Sequence, residues 1–267
     1  MPNQTAPLDA GRIRALLAGT RFADVRYVDR TASTNADAQA ILGNPAALGA
    51  TIVAEYQTAG AGRKGRRWLA PPGSALLFTA ILPRALRSAD LWVVPFWIAL
   101  SVAAAVERCT GVALELVWPN DLHAGGKVAG ILSVARISGD DAWVGCGIGI
   151  NVIRPIADTE LAIVQPQPVF LADLAAHVER EALLVAILRE FDASLEAIVD
   201  PARVVRRWES RAALAGTRYR YRHDADGIER DGVAARIGSH GELIVRDEQG
   251  EHRIDMADVR VVGHTRA

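Results

Sequence analysis

Four short segments carry side chains whose types and spacing suit chemistry on an anion. Residues 60–68 read GAGRKGRRW, three glycines among Arg63, Lys64, Arg66 and Arg67, closed by Trp68. Glycine lets a backbone approach a ligand closely, and neighbouring cations repel one another until an anion joins them. Backbone amides with these cations suit a phosphate, and Trp68 suits a flat base or an apolar ligand. The plain alternative is a solvated basic turn. The run is not a Walker loop, which needs GK[ST] opening a helix. It is not the dinucleotide fingerprint either, because Arg66-Arg67-Trp68 follows Gly65 with no helix pattern.

Residues 117–132, VWPNDLHAGGKVAGIL, end a strand at Pro119, turn at Asn120-Asp121 and resume at Lys127. They read as a plain hairpin or as a device that points Lys127 at an anion. Residues 147–151, GIGIN, read as tight packing or as small residues with an Asn at a strand end. Residues 31–35, TASTN, either cap a helix or offer hydroxyls and an amide to a ligand. Of 30 Lys and Arg, only Lys64 and Lys127 are lysines, and both fall in these glycine-bearing segments. A compact ammonium is not interchangeable with a planar fork, so at least one of the two is expected to be kept for chemistry.

The elements that must position these groups follow from periodicity. Helices are predicted over 8–18, over Thr34–Leu42 with Ser33 or Thr34 as cap, and over Leu91–Cys109. Strands are predicted at 51–56, 76–82 and 112–118, with a hairpin of AGILSVARI and AWVGCGIGINV across SGDD. Helical spacing runs from Val169 to Val199, and another helical piece passes through Arg206, Trp208 and Glu209. After Gly216, short strands alternate with turn residues, as in a small barrel of about 50 residues. The expected plan is an α+β protein: a helical extension over 1–21, a mixed β-sheet with flanking helices over 22–214, and a small β-barrel over 215–267.

Half of the 267 residues are hydrophobic and the net charge is −1. That predicts a sizeable core and gives no support to a general nucleic-acid-binding role. Cys109 and Cys146, the only cysteines, lie in apolar contexts without CxxC. Two buried free thiols in a reducing cytoplasm are expected, in place of a disulfide scaffold or a zinc site. No apolar run near the N-terminus fits a signal peptide. The apolar run Leu91–Val106 is short for a membrane span and carries Pro95, so a buried helix is expected.

Together the four segments resemble the biotin protein ligase family. The resemblance rests on Ser33-Thr34-Asn35, EYQTAGAGRKGRRW at 55–68, VWPNDL at 117–122, KVAGIL at 127–132 and GIGIN at 147–151. It covers roughly residues 25–210, and the lack of a DNA-reading domain before Val25 resembles the non-repressor class. It implies a catalytic fold like that of class II aminoacyl-tRNA synthetases and biotin ligases, followed by an SH3-like barrel. It also implies ATP-dependent biotinylation of a lysine on a biotin carboxyl carrier domain, as in acetyl-CoA carboxylase, through biotinyl-5′-adenylate. By resemblance, Ser33, Thr34, Asn35, Gln57 and Gly130 line the biotin site, and Gly60, Ala61, Gly62 and Arg63 close over the carboxylate and α-phosphate. Arg66, Trp68, Asn120 and Asn151 serve ATP and the adenylate. Lys127 and Arg63 are the implied catalytic cations. Mg2+ is implied without a certain ligand, Asp121 entering at most indirectly.

That chemistry asks for cations, because a carboxylate must attack an α-phosphate and both are anionic. A cover is also needed, because water destroys the mixed anhydride. Two positions depart from the family pattern: Ala61 stands where it has arginine, and Val117 where it has lysine. Two rival readings follow, a lipoate or octanoate ligase or transferase of the same fold, and a biotin-binding sensor with weakened catalysis. The expected setting is cytoplasmic, without nucleic acid or membrane, with a homodimer possible.

Overall fold

The computed structural model describes residues 7–155, 161 and 164–266. Among these, the chain builds an eight-stranded mixed sheet and then a five-stranded antiparallel one. The first sheet uses β1 (Val25–Thr31), β2 (Thr51–Gln57), β3 (Ala75–Ile81), β4 (Leu86–Arg87), β5 (Glu115–Val117), β6 (Asp121–His123), β7 (Lys127–Ser138) and β8 (Asp141–Asn151). Its order is β1-β2-β3-β8-β7-β6-β5, with β4 beside β8. Only β1 and β2 pair in parallel. All seven residues of β3 are buried, which is why its sequence reads as a continuous apolar run. The hairpin β7–β8 turns in two residues, Gly139 and Asp140, with Gly139 at φ 61°, the left-handed conformation such turns require.

Helix α1 (Ala10–Leu16) precedes the sheet, and α2 (Thr34–Ile41) packs on β2, β3, β7 and β8. Helix α3 (Val94–Thr110) packs on β5, β6 and β7. Pro95 sits in its first turn, where no backbone donor is missed, and Gly111 ends it in the left-handed conformation at φ 73°. The stretch Ser88–Thr110 is long and apolar enough to cross a membrane by length and composition. Here Phe96, Trp97, Ile98, Val102 and Val106 are core residues, against α4 (Arg180–Ser194) and α5 (Pro201–Ala212).

The second sheet holds β9 (Arg218–His223), β10 (Glu229–Ile237), β11 (Leu243–Asp247), β12 (Gly250–Ile254) and β13 (Val259–Thr265), in the order β12-β11-β10-β9-β13. It shares one apolar cluster with the first unit, running from Phe96 and Trp118 through Trp208 to Tyr219, Leu243 and Ile254. The Trp118 indole N–H donates to the Gly241 carbonyl at 3.0 Å.

Three expectations need correction. Helical structure does not run from Val169: α4 starts at Arg180, after a single turn at Leu171–Asp173. The reason is tertiary pairing, because the Val169 N–H donates to Lys127 and the Ala172 N–H to Val152. The strand predicted over 112–118 is confined to Glu115–Val117, since its partner β6 offers only three residues. Cys146 is buried, and burial pushes its thiol pKa up. Cys109, in the last turn of α3, is exposed, so the pair of buried thiols is not formed.

Candidate active site

Residues 33–35 meet Gln57 and β3 at the start of α2. Ser33 takes the cap position, yet its hydroxyl makes no capping bond. Gln57, the last residue of β2, serves in its place: its Oε1 accepts from Thr34 N–H at 2.7 Å and Thr34 Oγ1 at 3.1 Å. Asn35 Nδ2 donates to the Leu132 carbonyl at 2.9 Å, and its Oδ1 accepts from Thr79 Oγ1 at 2.8 Å. The Thr79 hydroxyl also lies 2.9 Å from Thr34 Oγ1.

Thr79 is fully buried and was missed from sequence. The available signal was the single hydroxyl in LLFTAIL. Thr79→Val keeps the shape but leaves Asn35 Oδ1 short of a donor, a loss of about 1–3 kcal/mol. The expected result is a weaker apparent affinity for the ligand of this end of the cleft, by roughly tenfold or more. Thr79→Ser should restore it. Titration of the three proteins with that ligand checks this, and equal affinities would remove Thr79 from the site.

The glycines of GIGIN have steric reasons. A Cβ on Gly147 would lie 2.1 Å from Asn35 Oδ1, and one on Gly149 would lie 2.6 Å from the Trp68 indole. Gly130, opposite Gly149 across β7 and β8, would place a Cβ 2.9 Å from the same ring. Trp68 therefore lies on a floor of two facing glycines. Its buried indole N–H has no acceptor among the described residues.

The loop that carries Trp68 closes on itself. Ala61 bridges Arg67, Gly62 N–H donates to the Arg66 carbonyl at 2.7 Å, and Trp68 N–H to the Gly60 carbonyl at 2.8 Å. Its tip turns through Lys64 and Gly65, both left-handed. Gly60 is buried, and a Cβ there would meet the Trp68 carbonyl at 2.6 Å.

Two cations face the floor. Lys127 opens β7, its Nζ 2.7 Å from Asp121 Oδ1 and 5.7 Å from the Trp68 ring centroid. Asn151 Nδ2 donates to the Lys127 carbonyl at 3.1 Å. Arg63 donates to Asn120 Oδ1 at 3.2 Å and to the Met256 carbonyl of the second sheet. Asn120 Nδ2 donates to the Ile131 carbonyl at 2.7 Å. Burial, reinforced by the neighbouring Arg66 and opposed by Asp121 and Asp224, lowers the Arg63 pKa.

These groups enclose a cleft of about 410 Å³, a size suited to a small molecule. Every candidate singled out from sequence lines it except Gly60, which lies against Trp68, and Lys64 and Asp121, which line an adjoining cleft. The wall beside Lys127 includes Val164, Gln165, Pro166 and Pro168, and Gln167 O accepts from Lys127 N–H. One end carries the hydroxyls and amides of Ser33, Thr34, Asn35 and Gln57, the other the cations. Asp121 lines an adjoining seam cleft of about 210 Å³ between the sheets, with Lys64, Val117, His123, Arg260 and His264. Burial first, then His264 and Lys127, pull the His123 pKa down to about 4. No cluster of three or more metal-ligating side chains occurs among the described residues, and none lining the main cleft is a carboxylate.

Residues 27–151 match the model of the Biotin/lipoate A/B protein ligase family. The biotin–[acetyl-CoA-carboxylase] ligase of Mycobacterium tuberculosis is 34% identical over 203 residues, covering 71% of each chain. The enzyme of that name from Paracoccus denitrificans is 33% identical over 243 residues, covering 86% of this chain and 97% of its own. The solved biotin protein ligase of Aquifex aeolicus in complex with biotin and ATP superposes with a TM-score of 0.71 at 23% identity, covering 91% and 99%. At that identity the likeness speaks for the fold.

Proposed function

The chain belongs to the biotin protein ligase family, and from that premise we propose that it is an ATP-dependent ligase that joins biotin to a lysine of a biotin carboxyl carrier domain, as in acetyl-CoA carboxylase. The observation that carries this is the polarity of the cleft, with hydroxyls and amides at one end, Trp68 on its glycine floor, and Lys127, Arg63 and Arg66 at the other.

In this reading Ser33, Thr34, Asn35 and Gln57 receive the ureido ring, whose N–H and C=O groups match their mixed donors and acceptors. The ring's hydrocarbon side rests by Trp68. The biotin carboxylate then lies near Lys127, and ATP brings its α-phosphate to the same cations. A carboxylate oxygen attacks the α-phosphorus, an O–P bond forms, and pyrophosphate leaves with the bridging electron pair. Lys127 neutralises both anions as they approach. Asp121 holds its ammonium beforehand, so the cation is positioned before any ligand arrives. Arg63 is fixed by Asn120 and by the second sheet, and supplies a second fixed charge. In the second step the carrier lysine's neutral amine attacks the acyl carbon, the amide C–N bond forms, and AMP leaves. The loop 60–68 shields the anhydride between the steps.

Mg2+ would neutralise the departing pyrophosphate. The cleft offers no protein-built cage, and Asp121 is engaged by Lys127. The ion fits only as one carried in on the nucleotide's phosphates, as Mg2+ commonly is.

Pyrophosphate release that requires both biotin and ATP is the test. Release with lipoate in place of biotin would favour the lipoate reading, and binding of biotin without release would favour a sensor. Ala61 lines the cleft without a charge. Ala61→Arg is therefore expected to slow dissociation of a non-hydrolysable adenylate analogue by about threefold to tenfold, the range of one added charged contact at an exposed rim. Stopped-flow off-rates check this, and an unchanged rate refutes it.

A further inference from the structure

We propose that Lys64 is a latent self-modification site, and that Asp224 holds its amine away from the acyl-adenylate formed beside it; this rests on the ligase reading above. An acyl-adenylate acylates any free amine that reaches it, and an amine in the same cleft reacts at a very high effective concentration. A guanidinium stays protonated and is no substitute nucleophile. Of the 30 basic residues only two are lysines, and each lines one of the two joined clefts. Each is occupied by a carboxylate, Lys127 by Asp121 and Lys64 by Asp224.

Lys127 belongs to the charge-neutralising machinery, and Lys64 does not. Its neighbours Arg63 and Arg66 line the main cleft, whereas Lys64 lines only the seam cleft. That pose is held in two ways. The Lys64 backbone is left-handed, at φ 57° and ψ 41°, a conformation that costs a non-glycine residue free energy. Its side chain, only 16% exposed, is then tied to Asp224, which comes from the turn after β9 in the second sheet. The bond from Lys64 is the first cause holding the Asp224 carboxyl below its ordinary range. The tie thus crosses the seam. Without it, a flexible four-carbon stem on a glycine-flanked loop is free to swing towards the cleft that its two neighbours line.

In the modification, the neutral Nζ of Lys64 attacks the acyl carbon of the adenylate. The C–N amide bond forms, the C–O bond to phosphate breaks, AMP leaves with that electron pair, and the amine proton passes to solvent. Asp224 is not among the residues that line either cleft, so its substitution removes no group that meets the substrates and acts first on Lys64.

The experiment incubates the full chain with biotinyl-5′-adenylate supplied directly and no carrier. Wild type, Asp224→Asn and Asp224→Asn/Lys64→Arg are compared by mass spectrometry of the peptide that contains residue 64. Occupancy of Lys64 is expected near background in wild type and about fivefold higher in Asp224→Asn, as for release of a partly exposed ion pair. The double variant should carry no label on that peptide. Equal labelling of wild type and Asp224→Asn, or no labelling of Asp224→Asn, overturns the proposal. A parallel arm uses biotin plus ATP. Labelling with supplied adenylate but not in this arm would refute the ligase reading and leave the assignment of Lys64 standing.

Discussion

Lys127→Ala is expected to slow biotin- and ATP-dependent pyrophosphate release by about 10²- to 10³-fold, the scale of losing one preorganised charge contact in a transition state. The placement of this ammonium argues for so large an effect. Its backbone N–H donates to Gln167, its carbonyl accepts from Val169 and Asn151, and its Nζ is held by Asp121. A group fixed on so many sides cannot be replaced by a mobile neighbour. Lys127→Arg should recover only part of the rate. The fork is longer and planar, and the space it would enter is bounded by Trp68 and Gly130. Biotin affinity measured separately would show whether the loss lies in chemistry or in binding. Near-normal pyrophosphate release by a folded Lys127→Ala protein would remove Lys127 from the catalytic role.

Gly147→Ala should come close in severity by a different route. The added methyl would stand 2.1 Å from Asn35 Oδ1 and 2.5 Å from the Leu132 carbonyl. The carbonyl belongs to the paired strand β7, opposite Gly147 in register, so it cannot retreat without opening the hairpin. Asn35 would be driven from its bonds to Leu132 and Thr79. Overpacking of this kind costs roughly 1–3 kcal/mol of stability. Biotin binding should fall further than stability does, because Asn35 is the side chain displaced. Calorimetric titration beside a thermal melt separates the two. A Gly147→Ala protein that binds biotin as wild type does would show that the Asn35 arrangement is not the binding one.

Much of this was legible because the informative residues break local rules. A glycine-basic run after an apolar strand, and a lysine in the glycine-bearing segment at 124–130, both fall on the cleft, whereas the other lysine, Lys64, lines the seam. The mixed sheet with flanking helices and the small antiparallel unit were legible from periodicity and turn residues. What was not legible depends on contacts distant in sequence. Thr79 reads as one more strand residue until α2 is laid over it. The glycines of GIGIN read as packing, and only the positions of Asn35 and Trp68 show what they make room for. Lys64 reads as a lysine that joins three arginines on one anion, and its left-handed turn and the tie to Asp224 take it to the seam instead. The start of α4 was misplaced because Lys127 and Val152 take the backbone donors of Val169 and Ala172, a demand no local window contains.

The contact between Trp118 and the second sheet has a consequence for how the protein melts. Trp118 is nearly fully buried, its backbone N–H donates to the Tyr219 hydroxyl at 3.3 Å, and its indole N–H donates to the Gly241 carbonyl. The same residue precedes Pro119 and Asn120, and Asn120 accepts a hydrogen bond from Arg63. Separating the two sheets would strand a buried donor and expose a large aromatic surface beside Phe96 and Trp208. The two sheets should therefore lose structure in one cooperative transition, with calorimetric and van't Hoff enthalpies in agreement. The five-stranded unit is then not a detachable accessory, and any change that loosens it will be felt first as a lower melting temperature of the ligand cleft.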